Sequence, residues 1–120
     1  MFTLTAILRA KPGHEEAVKA ALEKVGDFVR AHEPDTASFF VTQSADDSCT
    51  FVTHERFTDR AAMELHNNGA GSQGFFAEAG ALLDGPATVV TGPEVFCTVA
   101  FTTRYEFPFV GLERVRTLAF

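Results

Sequence analysis

The hydrophobic period of this chain switches from two residues to about 3.6 and back in a set order, which limits the available folds more than any single motif does. In residues 2–9, Phe2, Leu4, Ala6 and Leu8 fall on one side and Thr3, Thr5, Ile7 and Arg9 on the other, as in a half-buried strand. Lys11-Pro12-Gly13 ends that alternation. Val18, Leu22, Val25 and Val29 then recur at helical spacing, with Ala21 and Phe28 beside them, up to a stop before Pro34. Two stretches rich in aromatic and β-branched residues, 37–44 and 49–57, flank Asp46-Asp47 and predict an antiparallel hairpin. A second helix is expected to open at Thr58 or Asp59 as N-cap and to carry Ala62, Leu65 and His66 on one side. It meets a glycine-rich break, resumes through Phe75, Phe76, Ala79, Leu82 and Leu83, and stops at Asp84-Gly85-Pro86, before a last strand over 87–91.

Strand, helix, strand, strand, broken helix, strand is the βαββαβ order of a ferredoxin-like α+β fold with its helices on one face of the sheet. It accounts for residues 1–95. Residues 96–120 form a C-terminal extension that is too apolar and aromatic for a disordered tail. We expect an extra strand near residues 94–103 and an arm, including Tyr105, packed on the same domain or on a dimer partner.

With 120 residues, 46% of them hydrophobic, and thirteen Phe, the chain can bury one substantial core. A net charge of −6, with only ten Lys and Arg and no basic run, leaves nothing to neutralise phosphates, so neither nucleic acid nor an anionic membrane is an expected partner. Cys49 and Cys97 form no disulfide framework and no ligand pair, and the apolar start lacks a preceding basic region, so a reducing cytoplasm is the expected setting. No pair of His or Cys has metal-ligand spacing, so no metal site is expected.

Gly69, Gly71 and Gly74 match G-x-G-x-x-G, but a dinucleotide loop needs a strand before the first glycine and an acidic residue about twenty positions further on. Here a helix precedes the glycines and no such acid follows. They are better read as letting the chain pass close to neighbouring elements or to a ligand.

The stretch from Ile7 to Val25, with its Lys-Pro-Gly turn, and the stretch from Cys49 to Pro86, with Glu55-Arg56-Phe57 closing a strand, resemble the antibiotic biosynthesis monooxygenase family in order and content. The resemblance runs from Phe2 to Val95. It implies a sheet that pairs with a second copy into a dimeric α+β barrel, a pocket between sheet and helices in each subunit, and, in some relatives, oxygenation of polycyclic phenols, anthrones or quinols without flavin or metal. No cofactor is therefore expected, and the expected partners are a small aromatic or quinol substrate and O2. Three features depart from the family pattern: Phe57 stands where many members carry Trp, glycines break the second helix, and a C-terminal extension follows the domain. A haem-degrading branch of similar proteins uses an Asn, Trp and His set, and this chain contains no Trp.

Oxygenation of this kind needs a base to make an electron-rich anion, and a pocket that excludes bulk water. His66 is the leading candidate, since an imidazole titrates near neutrality and the residue matches a His recurring in the family's second helix. Glu55 shares a strand face with Phe51, Thr53 and Phe57, where it could act as base or orient His66; a buried pair with an Arg is the competing role. Asn67 and Asn68 could hold a substrate oxygen or simply end a helix. Phe39, Phe40, Phe51, Phe57, Phe75 and Phe76 could line a flat apolar pocket or fill the core. His54 and Arg56, on the other face, are expected at the dimer contact, and His14 and His32 at the ends of the first helix. The rival function is a non-enzymatic ligand-binding or interaction domain, its pocket filled by Phe side chains and His66 facing solvent.

Overall fold

The structure is a computed structural model and describes residues 1–98. Its elements are β1 (Phe2–Arg9), α1 (Glu15–His32), β2 (Thr36–Gln43), β3 (Thr50–Phe57), α2 (Arg60–Asn68), α3 (Ala70–Ala79), a 3-10 turn (Gly80–Leu82) and β4 (Thr88–Pro93). The strands form one antiparallel sheet in the order β2-β3-β1-β4, the ferredoxin-like arrangement. No helix among the described residues is long and apolar enough to cross a membrane.

The two periods place the core. Leu4, Ala6 and Leu8 of β1 and Phe51 and Phe57 of β3 point to the inner face, where Val18, Ala21, Leu22, Val25 and Val29 of α1 cover them. Phe51 and Phe57 are 1% and 0% exposed, and full burial of such a ring is worth about 2–3 kcal/mol. The hairpin turn is tied by side chains: Ser44 Oγ accepts from the Asp46 and Asp47 amides, and Asp47 accepts from the Cys49 amide and the Thr50 hydroxyl.

The second helical region departs from expectation in two ways. Its N-cap is Asp59, which accepts from the Ala62 amide at 2.8 Å, but the buried positions are Ala62, Met63 and His66, while Leu65 is 73% exposed. The helix is rotated so that Met63, rather than Leu65, meets the sheet. The glycine-rich break also shrinks to one residue. Gly69 closes α2 and opens α3, leaving Gly71 and Gly74 inside a helix. A Cβ on Gly69 would lie 2.8 Å from the Leu65 carbonyl oxygen, and one on Gly71 would lie 2.7 Å from the Phe28 ring. Gly69 thus makes the sharp junction and Gly71 lets α3 close on α1; nothing crowds Gly74.

The expected strand near 94–103 is absent over residues 94–98. The β4–β1 ladder ends at the Phe2↔Pro93 pair. The Glu94 amide donates to the Met1 carbonyl, and Arg56 grips the Glu94 carboxylate through Nε at 2.7 Å and Nη2 at 3.1 Å. The rest of that strand, and Tyr105, fall outside the described residues.

Candidate active site

A cavity of about 240 Å3 lies between the inner face of the sheet and the helices, walled by apolar residues including Leu4, Leu22, Val25, Phe39 and Phe75. The polar residues on its wall are Thr53, Glu55, His66, Asn67 and Ser72. Half-exposed Phe76 and Val89 also line it.

The strand alternation that buries Phe51 and Phe57 also buries Glu55, which register places between Leu4 of β1 and Phe39 of β2. The carboxylate is 7% exposed. Burying a charge there costs several kcal/mol unless it is compensated. Thr53, two residues back on the same face, donates its hydroxyl to Glu55 Oε2 at 2.7 Å. Among the described residues none completes a hydrogen bond to Glu55 Oε1, which lies 3.3 Å from His66 Nε2.

His66 is 4% exposed and reaches the sheet because the Asp59 cap sets the start of α2 and one face of that helix meets β3. Phe39 and Phe57 pack on its ring at centroid distances of 5.9 and 5.4 Å. Nδ1–H donates to Glu33 Oε1 at 2.7 Å, and Nε2 has the Ser72 hydroxyl at 3.3 Å besides Glu55. Burial works against a charged ring more strongly than any other influence, but Glu55 and Glu33 together overcome it and raise the His66 pKa above its usual value. The ring thus stands between two carboxylates that favour its protonated form, so it is not the untuned imidazole that residue type alone suggests.

The structure thus brings together on one cavity His66, Glu55, Asn67, Phe39, Phe75 and Phe76. Phe57 touches the site only through the His66 ring, Phe51 is sunk in the core, and Asn68 donates back to the Glu64 carbonyl in the manner of a helix end. Phe40 lies on the outer face, stacked on His54 at 4.5 Å. His14 and His32 are exposed at the two ends of α1. Glu55 pairs with His66 rather than with an Arg; Arg56 points to the opposite face and binds Glu94. Among the described residues no group of three or more His, Cys, Asp or Glu side chains could hold a metal ion.

Three participants escaped sequence reasoning. Glu33 is thirty-three positions from His66, and nothing local marks it beyond its place before Pro34. Ser72 sits inside the glycine motif, which drew attention to a phosphate loop instead. Thr53 was legible as a face-mate of Glu55, and its i, i+2 spacing on a strand was the available signal.

Comparison with known proteins adds a second line of information. The family model described as antibiotic biosynthesis monooxygenase matches residues 1–78. A Bacillus subtilis protein named "Putative monooxygenase YcnE" is 33% identical over 90 residues, covering 75% of this chain and 94% of its own length. Among solved structures, PA3566 from Pseudomonas aeruginosa is similar with a TM-score of 0.71 at 28% identity, covering 79% of this chain and 94% of that one. Rv0793 from Mycobacterium tuberculosis superposes with a TM-score of 0.74 at 23% identity, covering 82% of this chain and 98% of its own.

Proposed function

The chain belongs to the antibiotic biosynthesis monooxygenase family, and from that premise we propose that it oxygenates a small phenolic or quinol-type aromatic compound with O2 in the cavity beside His66. The observation that carries this reading is Glu55 Oε1, a buried carboxylate oxygen on the wall of a largely apolar cavity whose nearest polar neighbour, His66 Nε2, stands 3.3 Å away without completing a hydrogen bond. A phenolic hydroxyl supplies the missing donor. An open cavity reached by both Glu55 and His66 also weighs against a pocket merely filled with Phe side chains.

In this reading Glu55 Oε1 takes the hydroxyl proton, since both His66 nitrogens already face oxygen acceptors. The imidazolium offsets the carboxylate's charge, and the Phe39 and Phe75 rings hold the substrate plane. The aromatic anion then supplies the electrons itself, as the family resemblance implies. For a phenol bearing hydrogen on the para carbon the balance is phenol plus O2 giving quinone plus water. One oxygen atom stays on the ring, the other leaves as water, and both hydrogens of that water come from the substrate. The cavity is smaller than the roughly 300–1,000 Å3 of drug-sized sites, which favours one or two fused rings.

The partner is a second copy of the chain, paired through the outer sheet face. That face carries Ile7, Phe40 and Val90, which are 43%, 56% and 68% exposed.

The test is oxygen uptake by the protein against hydroquinones, naphthols and anthrones, with Glu55→Gln and His66→Gln variants checked for folding by circular dichroism. General acid–base groups contribute about 10²–10⁴-fold, so each variant is expected to lose at least about a hundredfold. Full uptake in folded Glu55→Gln would reject it as the proton acceptor; no uptake by the parent protein across the panel would reject this substrate class.

A further inference from the structure

His66 forms part of the wall between two cavities. On its inner side is the cavity with Glu55, Thr53 and Ser72; on its outer side is a separate hollow of about 250 Å3 lined by Phe28, Glu33, Thr36, Leu65 and Gly69 among others. Glu33 is not on the inner wall. It terminates α1 as the C-cap residue, its side chain is 14% exposed, and the Thr36 hydroxyl donates to the same Oε1 that receives His66 Nδ1–H. The carboxylate is thus anchored by the turn leading into β2 and presented to the back of the ring.

We propose that Glu33 is a positioning residue for the inner cavity, holding His66 from behind with Nε2 turned inward toward Glu55. The inference rests on the oxygenase reading for its chemistry but on the ring's two-sided geometry for its substance. An imidazole rotates freely about its last bond unless one nitrogen is fixed, and fixing Nδ1 on a carboxylate decides which edge the other side of the ring presents. Glu33 lies on the far side from any cavity occupant, so it can set the ring's orientation and charge without touching the substrate.

The titratable groups facing the ring are Glu33 from the end of α1 and Glu55 from β3, with His32 and Asp35 on the outer hollow. Of these, Glu33 makes the shortest contact, 2.7 Å against 3.3 Å for Glu55. The charge-bearing partner of His66 that can be removed without altering the inner wall is therefore Glu33.

The experiment uses the full chain and two readouts: the His66 ring titration followed by NMR, and the affinity of 4-nitrophenol as a function of pH. Removing an opposite charge in hydrogen-bond contact shifts a pKa by about one unit or more. In Glu33→Gln, which keeps a hydrogen-bond acceptor, the His66 midpoint is expected to fall by at least about that much, and the pH at which 4-nitrophenol binding changes is expected to fall with it. Thr36→Val, which loosens Glu33 but leaves every charge in place, is expected to give a smaller shift in the same direction. An unmoved His66 midpoint in Glu33→Gln overturns the proposal. So does a 4-nitrophenol profile that ignores the ring, or no binding of the probe at all. Failure of the oxygenase reading looks different: a parent protein that consumes no oxygen while His66 and bound 4-nitrophenol still titrate together.

Discussion

Glu55 and His66 each pay for burial through the other. The Glu55 carboxylate, set by register between Leu4 and Phe39, has the ring as its charge-compensating neighbour, and Glu55 and Glu33 together raise the ring's pKa against the effect of burial. This mutual dependence has a pH signature. The His66 pKa is raised in the folded protein above its value of about 6.5 in an unfolded chain. The folded state therefore binds the His66 proton more tightly, and the resulting stabilisation is fully present below about pH 6.5. It is lost as pH rises through the folded-state midpoint. Urea melts of the parent protein are expected to show stability declining over that window, and the decline is expected to vanish in His66→Gln. A parent protein equally stable on both sides of the window would contradict the ion-paired ring.

At the scale of elements, the site exists because two short helices replace one long one. α2 brings His66 onto the sheet and α3 returns over the cavity with Ser72, Phe75 and Phe76, and the redirection occurs at Gly69. Gly71 then sets how closely α3 approaches α1, since an added methyl would collide with the Phe28 ring rather than with a flexible chain end. Gly71→Ala favours the helix backbone by about 1 kcal/mol but overpacks this contact at a cost of about 1–3 kcal/mol. The expected net result is a loss of thermal stability together with weakened ligand binding, because α3 carries three cavity residues. Gly74→Ala, where nothing lies within 4 Å of the added methyl, is the control and is expected to stabilise by about 1 kcal/mol. Paired thermal melts of the two variants check this, and equal effects would remove Gly71's assigned role in close packing.

At the scale of the whole molecule, the helices cover one face of the sheet and leave the other with Ile7, Phe40, Val52 and Val90 among Thr3, Thr5 and Thr42. In the proposed dimer, a second copy paired through that face would bury those apolar side chains and bring His54 and Arg56 to or near the contact. Arg56 is already engaged by Glu94 within its own chain, and this pair holds the segment just after β4 against β3. Phe40→Asp is expected to yield monomers by sedimentation while preserving the fold, because Phe40 lies outside the core. A dimer unchanged by Phe40→Asp would place the contact elsewhere. Deleting residues 104–120 tests the extension separately, and an unchanged dimer would remove its proposed part in assembly.

The sequence by itself determined the element order, the face each strand buries and the helix stop before Pro34, because these follow from local periodicity and from the few residues that tolerate turns. It also marked Glu55 and His66, one through strand alternation and the other through residue chemistry and family likeness. Local pattern did not reveal that the second helical region would bend at a single glycine, or that Met63 would displace Leu65 from the inner face. Both depend on how α2 and α3 rotate to fit α1 and the sheet. Glu33 belongs wholly to the tertiary structure: its role comes from a 2.7 Å contact across thirty-three residues, and no periodicity encodes a distance between two helix ends. The same contact, with Glu55 on the other side, raises the pKa of His66, because a pKa is set by burial and by charges nearby in space, wherever they fall along the chain.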